Sequence, residues 1–344
     1  MVRNSKNTSL PAGRSGRTGK VMIIGSAAVL FALAVSVMYG TTNIDAATVW
    51  RAVFDFNPQN TQHQVIREIR LPRALTAALI GAFLALSGAI MQALTQNPLA
   101  EPSLLGISYG AALALVTALT LFPGISSSGS VLVSMAGAGL TVLLVFSLAA
   151  VSKGGMAPVK LALAGVAIGM FLSSLTSVIA IHFDVAKDLS FWYAGSLAGS
   201  SWNGVKMLLF AGVFGMLIAV LLARSLTLLN LGTEVTKGLG INVRFVNFLG
   251  VLAVLLLTGS SVAISGTVAF AGLVIPHISR MLTGPDYRYI LPVSAVLGSL
   301  LLILGDIGAR MINPPYETPI GVVTAAVGVP FFLYLVRSGR SRFT

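Results

Sequence analysis

Three arginines and one aspartate lie at the ends of apolar stretches and are candidates for ion pairing. Arg70 and Arg73 are separated by Leu-Pro at the start of one apolar stretch, and Arg310 closes another, four residues after Asp306. A guanidinium group binds a carboxylate through two parallel hydrogen bonds and steers the approach of an acidic partner. The simpler interpretation is that Arg70 and Arg73 extend their charges to a membrane interface, while Asp306 pairs with its i+4 neighbour Arg310. The residues alone leave both interpretations open.

The sequence lacks the usual signatures of catalytic, metal and nucleotide sites. It has no cysteine, no HExxH pair for zinc and no G-x-x-x-x-G-K-[ST] loop for phosphates. An ion-coupled carrier would need acidic groups inside the membrane, yet none of the ten Asp and Glu residues lies at the middle of an apolar run. We therefore expect no catalytic residue, no metal site and no cofactor in the chain itself. An intramembrane enzyme and a secondary transporter are both disfavoured.

A polar segment at residues 224–244 interrupts the apolar second half of the chain. Its apolar residues recur at helical spacing and predict a short amphipathic helix; they are Leu228, Leu231, Val235 and Leu239. Asn230 or Thr233 can cap its start, and Gly240 can end it. The segment is too short to cross a bilayer. It is either a knob that a soluble partner grips or a plain connecting helix on the lipid headgroups.

The elements that position these residues are apolar helices. Of 344 residues, 56% are hydrophobic and only 9% are charged, and the mean hydropathy is +0.90. Such a composition predicts an all-α polytopic membrane protein embedded in lipid. The net charge of +12 does not indicate a nucleic-acid partner, because Lys and Arg gather on the cytoplasmic side of bacterial-type inner-membrane proteins.

The apolar runs predict ten transmembrane helices with both termini in the cytoplasm. They cover about 21–40, 74–100, 103–121, 131–151, 161–182, 205–223, 245–263, 266–280, 289–309 and 319–336. Residues 1–20 are expected to form a disordered basic cytoplasmic tail, and residues 21–344 a single ten-helix domain. A polar loop at 41–69 and an interfacial or re-entrant piece at 183–203 are expected outside. Helices 2–5 and 7–10 start on opposite sides, which predicts an inverted repeat.

Four stretches resemble one family of membrane proteins. They are RLPRALTAALIGAFLALSGAIMQALTQNPLAEPSLLGISYGA (70–111), GTVAFAGLVIPHISR (266–280), LGDIGAR (304–310) and PIGVVTAAVGVPFFLYLVR (319–337). They are similar to the FecCD/BtuC-type permease family of iron-siderophore and cobalamin ABC importers. The resemblance implies a subunit of the cytoplasmic membrane that pairs with a second permease, either a copy or a different chain. It also implies two cytoplasmic ATPases, which bind ATP and Mg²⁺, and an extracytoplasmic binding protein. The implied cargo is a ferric siderophore, with cobalamin or haem as alternatives.

The resemblance assigns roles to particular residues as well. Arg70, Arg73 and Arg310 are expected to face the binding protein and to pair with acidic residues on its two lobes. The loop at 225–242 is expected to insert into a groove of the ATPase. Its coupling residues are Leu231, Gly232, Glu234, Val235, Lys237, Leu239 and Gly240. Glu234 and Lys237 are candidate ion-pairing positions, and Thr236 stands where many relatives have Ala.

A gate is implied near the cytoplasmic exit of the pore. Asn97, Pro98 and Leu99 would form a constriction there, although by themselves they indicate only a helix stop. Pro158 and Val159 would belong to the neighbouring gate loop. Some relatives carry hydroxyl residues at these last two positions, so this chain departs from their pattern.

Overall fold

The computed structural model describes residues 13–40, 43–151, 158–314 and 316–338, and these ranges contain helices and connections but no strand. The helices are α1 (Gly13–Met38), α2 (Ala46–Phe54), α3 (Thr61–Val65), α4 (Leu71–Thr95), α5 (Ile107–Leu121), α6 (Ser127–Val151), α7 (Pro158–His182), α8 (Ala186–Ala194), α9 (Trp202–Leu229), α10 (Thr233–Gly238), α11 (Val243–Ser265), α12 (Ala271–Thr283), α13 (Tyr287–Met311) and α14 (Ile320–Ser338). A π-helical turn, Ile66–Arg70, leads into α4, and a 3₁₀ turn, Pro102–Leu105, precedes α5.

Seven helices in the described ranges are long and apolar enough to cross a membrane: α1, α4 with the turns before it, α6, α7, α9, α11 and α13. The helices α5 and α14 are apolar but shorter. Together with α12, these helices coincide in order with the ten predicted spans. The chain is therefore an all-α polytopic membrane protein, as its composition predicts.

The helix α4 lies at the centre of the bundle and packs against α13, α11, α9 and α12. Its small residues recur every three or four positions, which predicts close helix contact; they are Ala77, Gly81, Ala85 and Gly88. Both alanines are fully buried. A Cβ on Gly81 would overlap the backbone of Gly298, and one on Gly88 would overlap that of Gly272. The predicted close contact is confirmed, and it brings α13 and α12 against α4.

Apolar side chains cover the outer surface of the peripheral helices. Ile23 on α1, Leu144 on α6, Phe171 on α7 and Phe210 on α9 are each more than half exposed. Monomeric soluble proteins rarely expose apolar patches of this extent. In a membrane protein such faces contact lipid or another subunit.

Polar contacts join the helices at two opposite ends of the bundle. At one end, which we call the arginine end, the side chains of Arg70 and Arg310 bind backbone carbonyls at the close of α1. At the other, which we call the coupling end, the amide of Gln96 after α4 donates to the carbonyl of Leu229 at the close of α9, at 2.8 Å. The candidate functional residues fall largely at these two ends.

Two segments differ from the prediction. The helix α1 begins at Gly13, so residues 13–20 are helical and do not belong to a tail; residues 1–12 lie outside the described part. The predicted loop at 41–69 contains α2, α3 and the π-helical turn. Asp45 caps α2 by accepting a hydrogen bond from the N–H of Thr48 at 3.1 Å. The average polarity of this segment concealed its short helices.

Candidate functional site

Five ionisable side chains meet at the arginine end and form what we call the arginine cluster: Arg70, Arg73, Asp306, Arg310 and Glu317. The π-helical turn ends at Arg70, and α4 carries Arg73 in its first turn. Asp306 and Arg310 lie in the last turns of α13, and Glu317 lies in the connection to α14. Four separate elements therefore converge on one site.

Asp306 is at the centre of the cluster and has no exposed surface. It accepts a hydrogen bond from Nε of Arg73 at 3.0 Å, and Nη2 of the same side chain forms an ion pair with it at 2.9 Å. Nε of Arg310 lies 3.2 Å from its other oxygen, which confirms the predicted i+4 pair. Arg73 also donates through Nη1 to Glu317 at 2.6 Å. One aspartate thus joins the start of α4 to the end of α13.

The other two arginines hold the end of α1. Arg70 donates through Nη1 to the carbonyls of Val37 and Met38 at 2.8 and 2.9 Å. Arg310 donates to the carbonyl of Ser36 at 3.1 Å and to that of Tyr39 at 3.0 Å. The last carbonyls of a helix lack intrahelical donors, and a cation there also interacts favourably with the helix dipole. Arginine therefore suits this end of α1.

The cluster is enclosed and carries one net positive charge, since three arginines face two carboxylates. Arg70, Arg73 and Arg310 are only 6–8% exposed. The structure thus brings the three predicted docking residues together, but it also gives their guanidinium groups partners within the chain. The side chain of Glu317, 38% exposed, is the accessible carboxylate. Docking of a binding protein stays a prediction, and any such contact would have to compete with the internal bonds.

At the coupling end, α10 exposes apolar side chains. Leu231, Val235 and Leu239 are 64%, 51% and 60% exposed, although they neighbour charged and polar residues. An exposed apolar group with a polar rim is typical of a protein interface. The predicted apolar stripe therefore lies outward. Leu228, the fourth predicted member, belongs to the end of α9.

The local structure of α10 departs from the predicted details. Gly232 is its N-cap, without a side-chain capping bond, and Asn230 caps the end of α9 instead. The helix ends at Gly238, and Gly240 follows with a φ of +79°. Glu234 and Lys237 are paired with each other at 2.7 Å. Because both are mostly exposed, this ion pair contributes little and can exchange partners.

Two neighbouring carbonyls at the end of α9 receive hydrogen bonds from different elements. The hydroxyl of Thr236, which is 1% exposed, lies 2.9 Å from the carbonyl oxygen of Leu228 and 2.8 Å from that of Gly232, so its one proton is shared between α9 and the start of α10. The amide of Gln96 donates to the next carbonyl, that of Leu229. The coupling helix and the turn after α4 are thereby attached to consecutive residues of α9. The sequence marks Thr236 as unusual but does not reveal this role.

The predicted gate residues form a tight turn after α4. Gln96 adopts a left-handed conformation with a φ of 50°, and the side-chain oxygen of Asn97 accepts a hydrogen bond from the N–H of Leu99 at 2.9 Å. Asn97 and Leu99 are exposed, and Pro98 is half-buried. The backbones of Pro158 and Val159 begin α7. The second predicted gate loop covers 156–160, and its residues 156 and 157 lie outside the described part of the chain. The gate assignment stays a prediction.

A cavity of about 250 Å³ contains a carboxylate that the sequence analysis did not single out. Glu101 lines it, and its carboxylate lies near the N–H of Phe270 and the hydroxyl of Ser103. Pro102 packs beside Gly272, which in turn contacts Gly88. Gly88 lies seven residues before the end of α4, or about 10 Å along its axis. Glu101 is thus half-buried in the wall of a cavity that is set back from the coupling end.

The cavity is lined by hydroxyl groups. Ser108, Tyr109, Tyr193 and Thr267 contribute to the wall. Thr258 also lines it, is only 3% exposed, and its hydroxyl has no hydrogen-bond partner in the described residues. A buried hydroxyl of this kind is normally satisfied by water or a ligand. The cavity therefore has the character of a hydrated site. The sequence signal for this irregular segment is the pair Pro98 and Pro102 on either side of Glu101, because proline interrupts an α-helix.

A family model, curated relatives and a solved structure are all similar to this chain over most of its length. Residues 28–338 match the FecCD transport family. The chain is 51% identical over 320 residues to the iron(3+)-hydroxamate import system permease protein FhuB of Bacillus subtilis, covering 93% of this chain and 83% of that protein. It is 39% identical to the ferric enterobactin transport system permease protein FepD of Escherichia coli, over 90% and 92% of the two chains. A solved structure of a metal-chelate type ABC transporter in an inward-facing conformation superposes with a TM-score of 0.83 at 29% identity, covering 93% of this chain and 99% of that one.

Proposed function

Because the chain belongs to the FecCD transport family, we propose that it is the permease subunit of an ABC importer that carries a ferric siderophore across the cytoplasmic membrane. The observation that carries this proposal is the 51% identity, over 93% of the chain, to a permease named for iron(3+)-hydroxamate import. Ferric hydroxamates are therefore the first cargo to test. ATP hydrolysis and Mg²⁺ binding reside in separate ATPase subunits under this proposal.

The proposed topology has ten crossings, with the coupling end in the cytoplasm and the arginine end outside. The membrane then contains α1, α4–α7, α9 and α11–α14. Helix contacts support an inverted repeat. In the proposed repeat, α4, α5, α6 and α7 correspond in order to α11, α12, α13 and α14. Under this correspondence the helix pair α5–α6 is equivalent to α12–α13. The pair α4–α13 is equivalent to α11–α6, and α4–α12 is equivalent to α11–α5. All six of these pairs are in contact.

Energy from ATP enters, in this proposal, through α10. Its exposed residues Leu231, Val235 and Leu239 supply the apolar surface for a groove of the ATPase. A displacement of α10 is transmitted to α9 through Thr236 and onward to the turn at 96–99 through Gln96. The contacts that support this route are the two hydrogen bonds to Leu228 and Leu229. The cytoplasmic gate is thereby linked to the ATPase by a short path.

Docking of the extracytoplasmic binding protein is proposed at the arginine end. Arg73 is bound to the buried Asp306 and to the partly exposed Glu317. An acidic residue of the binding protein would displace Glu317 and pair with Arg73. The internal bonds to Asp306 stay in place during this exchange, so the cluster is preserved. Arg70 and Arg310 contribute positive potential and a fixed geometry.

The docking proposal is tested by Glu317→Gln, measured as the Kd of the binding protein for the reconstituted importer at low salt. Removing the competing carboxylate frees Arg73, so the Kd is expected to fall about two- to fivefold, as the strength of a partly exposed ion pair allows. Glu234→Gln at the opposite end is the matched control and leaves the Kd unchanged. An unchanged or higher Kd for Glu317→Gln would rule out this exchange.

Transport itself is tested in proteoliposomes that contain the permease, its ATPase and its binding protein. Uptake of radioactive iron supplied as a ferric hydroxamate is expected to need ATP and to stop when the phosphate-loop lysine of the ATPase is replaced. Ferric catecholates, ferric citrate, haem and cobalamin form the comparison panel. Preferential uptake of cobalamin or haem would overturn the siderophore assignment. Accumulation driven by an ion gradient without the ATPase would overturn the importer assignment.

A further inference from the structure

A groove with a volume of about 680 Å³ lies between α9 and α13 at the coupling end, and its walls are largely apolar. Met216, Ala219 and Val220 line it from α9, and Leu291, Pro292 and Ala295 line it from α13. Arg224 and Arg288 stand at the end nearest the coupling segment. The groove thus combines an apolar trough with two cationic side chains at one end.

Local sequence explains why the two helices leave a gap. Alanines at 219, 223 and 295 provide little volume between the backbones. Pro292 lies inside α13 and cannot donate the usual backbone bond to the carbonyl four residues earlier. Val220 and Leu221 on the groove side of α9 are 69% and 70% exposed. These side chains need an apolar neighbour that the described part of the chain does not supply.

The length of the groove suits one leaflet of a bilayer. Met216 and Arg224 are eight residues apart, which is about 12 Å along a helix. Arg288 and Ala295 are seven residues apart, or about 10 Å along α13. Half of the hydrocarbon core is about 15 Å thick. The apolar part therefore lies at acyl-chain depth when the arginines lie at the headgroups.

The charges at the mouth of the groove favour an anion. Arg288 is paired with Asp286 at 2.6 Å, and the hydrogen bonds from Arg288 hold the pKa of that carboxyl below its ordinary value. That pair is neutral as a whole. Arg224 is exposed, and the described residues give it neither an ion-pair nor a hydrogen-bond partner. One uncompensated positive charge thus sits directly above an apolar trough.

We propose that this groove binds an anionic phospholipid of the cytoplasmic leaflet, with an acyl chain along α9 and α13 and the phosphate on Arg224 beside Arg288. The inference rests on the cytoplasmic placement of the coupling end proposed above. The site adjoins the coupling machinery, because Thr227, one turn after Arg224, contacts both Asp286 and the N–H of Tyr287. The bound lipid therefore supports the junction between α9 and the start of α13.

The absence of cysteine in the chain allows a direct test by site-specific labelling. Leu221→Cys, labelled with a fluorophore, is placed in nanodiscs that contain a minor fraction of either brominated phosphatidylglycerol or brominated phosphatidylcholine. An arginine near an anionic headgroup favours it by about fivefold, so phosphatidylglycerol is expected to quench about fivefold more effectively at equal low fraction. The control is Leu144→Cys on α6, which lines a different apolar groove that contains no arginine. It is expected to show no preference between the two lipids.

Removing the charge provides the second arm. Arg224→Gln in the Leu221→Cys background is expected to abolish the preference for phosphatidylglycerol, while quenching by phosphatidylcholine persists. Inorganic phosphate at millimolar concentration is not expected to compete, since it lacks the acyl chain. Equal quenching by both lipids before the arginine is replaced, or competition by free phosphate, would overturn the proposal. Labelling of Leu239→Cys by an impermeant maleimide reports separately whether the coupling end is cytoplasmic.

Discussion

Replacing Asp306 by Asn is the most informative perturbation of the arginine cluster. Asp306 has no exposed surface. It receives a hydrogen bond from Arg73 at 3.0 Å and forms ion pairs with Arg73 at 2.9 Å and with Arg310 at 3.2 Å. Asn preserves the size of the side chain but removes its charge. The net charge of the cluster rises from one to two, and Glu317 becomes its only carboxylate.

The expected loss of stability is large. Removing one member of a buried ion pair costs about 3–5 kcal/mol, because the charge left behind is uncompensated. Native proteins have total unfolding free energies of about 5–15 kcal/mol, so Asp306→Asn removes a substantial part. Glu234→Gln is the same acid-to-amide change in the exposed pair with Lys237, where about 0–1 kcal/mol is expected.

Equilibrium unfolding in mixed micelles of increasing SDS fraction measures both variants. A double-mutant cycle with Arg73→Gln isolates the pair. The double variant is expected to lose less unfolding free energy than the two single variants lose together, by about 0.5–3 kcal/mol. Arg73→Gln alone should also destabilise the protein, which a pure docking residue would not do. Equal unfolding curves for Asp306→Asn and Glu234→Gln, or additive losses in the cycle, would refute a structural role for the cluster.

Three further predictions concern other parts of the chain. Thr236→Val removes the hydroxyl bond to α9, worth about 1 kcal/mol, and is expected to lower the amount of iron transported per ATP hydrolysed in proteoliposomes. Thr236→Ser keeps the hydroxyl and is expected to keep the wild-type ratio of iron to ATP. Equal ratios for the two variants would exclude the route through α9. Glu101→Ala removes the carboxylate that lies near the N–H of Phe270 and is expected to speed hydrogen exchange there. Glu101→Gln keeps an oxygen at that position and is expected to exchange more slowly than Glu101→Ala; identical rates would show that the side chain does not protect this N–H. Gly88→Ala forces α4 away from α12 and is expected to lower the Tm, whereas Gly19→Ala, with no atom near its Cβ position, does not; matching Tm values would contradict the close packing.

The sequence predicts the long helices well because each apolar run contains its own signal. The positions of the ten expected spans agree with helices, and the small-residue face of α4 correctly indicates backbone contact. The short helices α2 and α3 escape prediction because they have only nine and five residues and lie in a segment that is polar on average. Similarly, the 3₁₀ turn at Pro102–Leu105 delays α5 to Ile107, four residues after the predicted start, because Pro102 and the left-handed Gly106 interrupt the helical path.

The sequence singles out four of the five members of the arginine cluster, all but Glu317, but it predicts only one of the pairs that they form. The pair formed by Asp306 and Arg310 follows from i+4 spacing, which is a local property. The bond from Arg73 to Asp306 joins residues 233 positions apart, and no local pattern can reveal it. For the same reason, the depth of Glu101 depends on how the linker folds back beside Gly272, a tertiary contact that the sequence does not display.

The helices are held together by different kinds of interaction at the two ends of the bundle. This difference determines which end moves more easily when a force acts on α10. At the arginine end, buried ions and helix-terminal carbonyls join α1, α4 and α13, and breaking any of these bonds leaves a charge in an enclosed site. At the coupling end, Thr236 and Gln96 use neutral hydrogen bonds of about 1 kcal/mol each, which can break and re-form at little cost. A force applied to α10 would therefore rearrange the coupling end first, while the arginine end keeps its geometry and acts as a fixed base for docking.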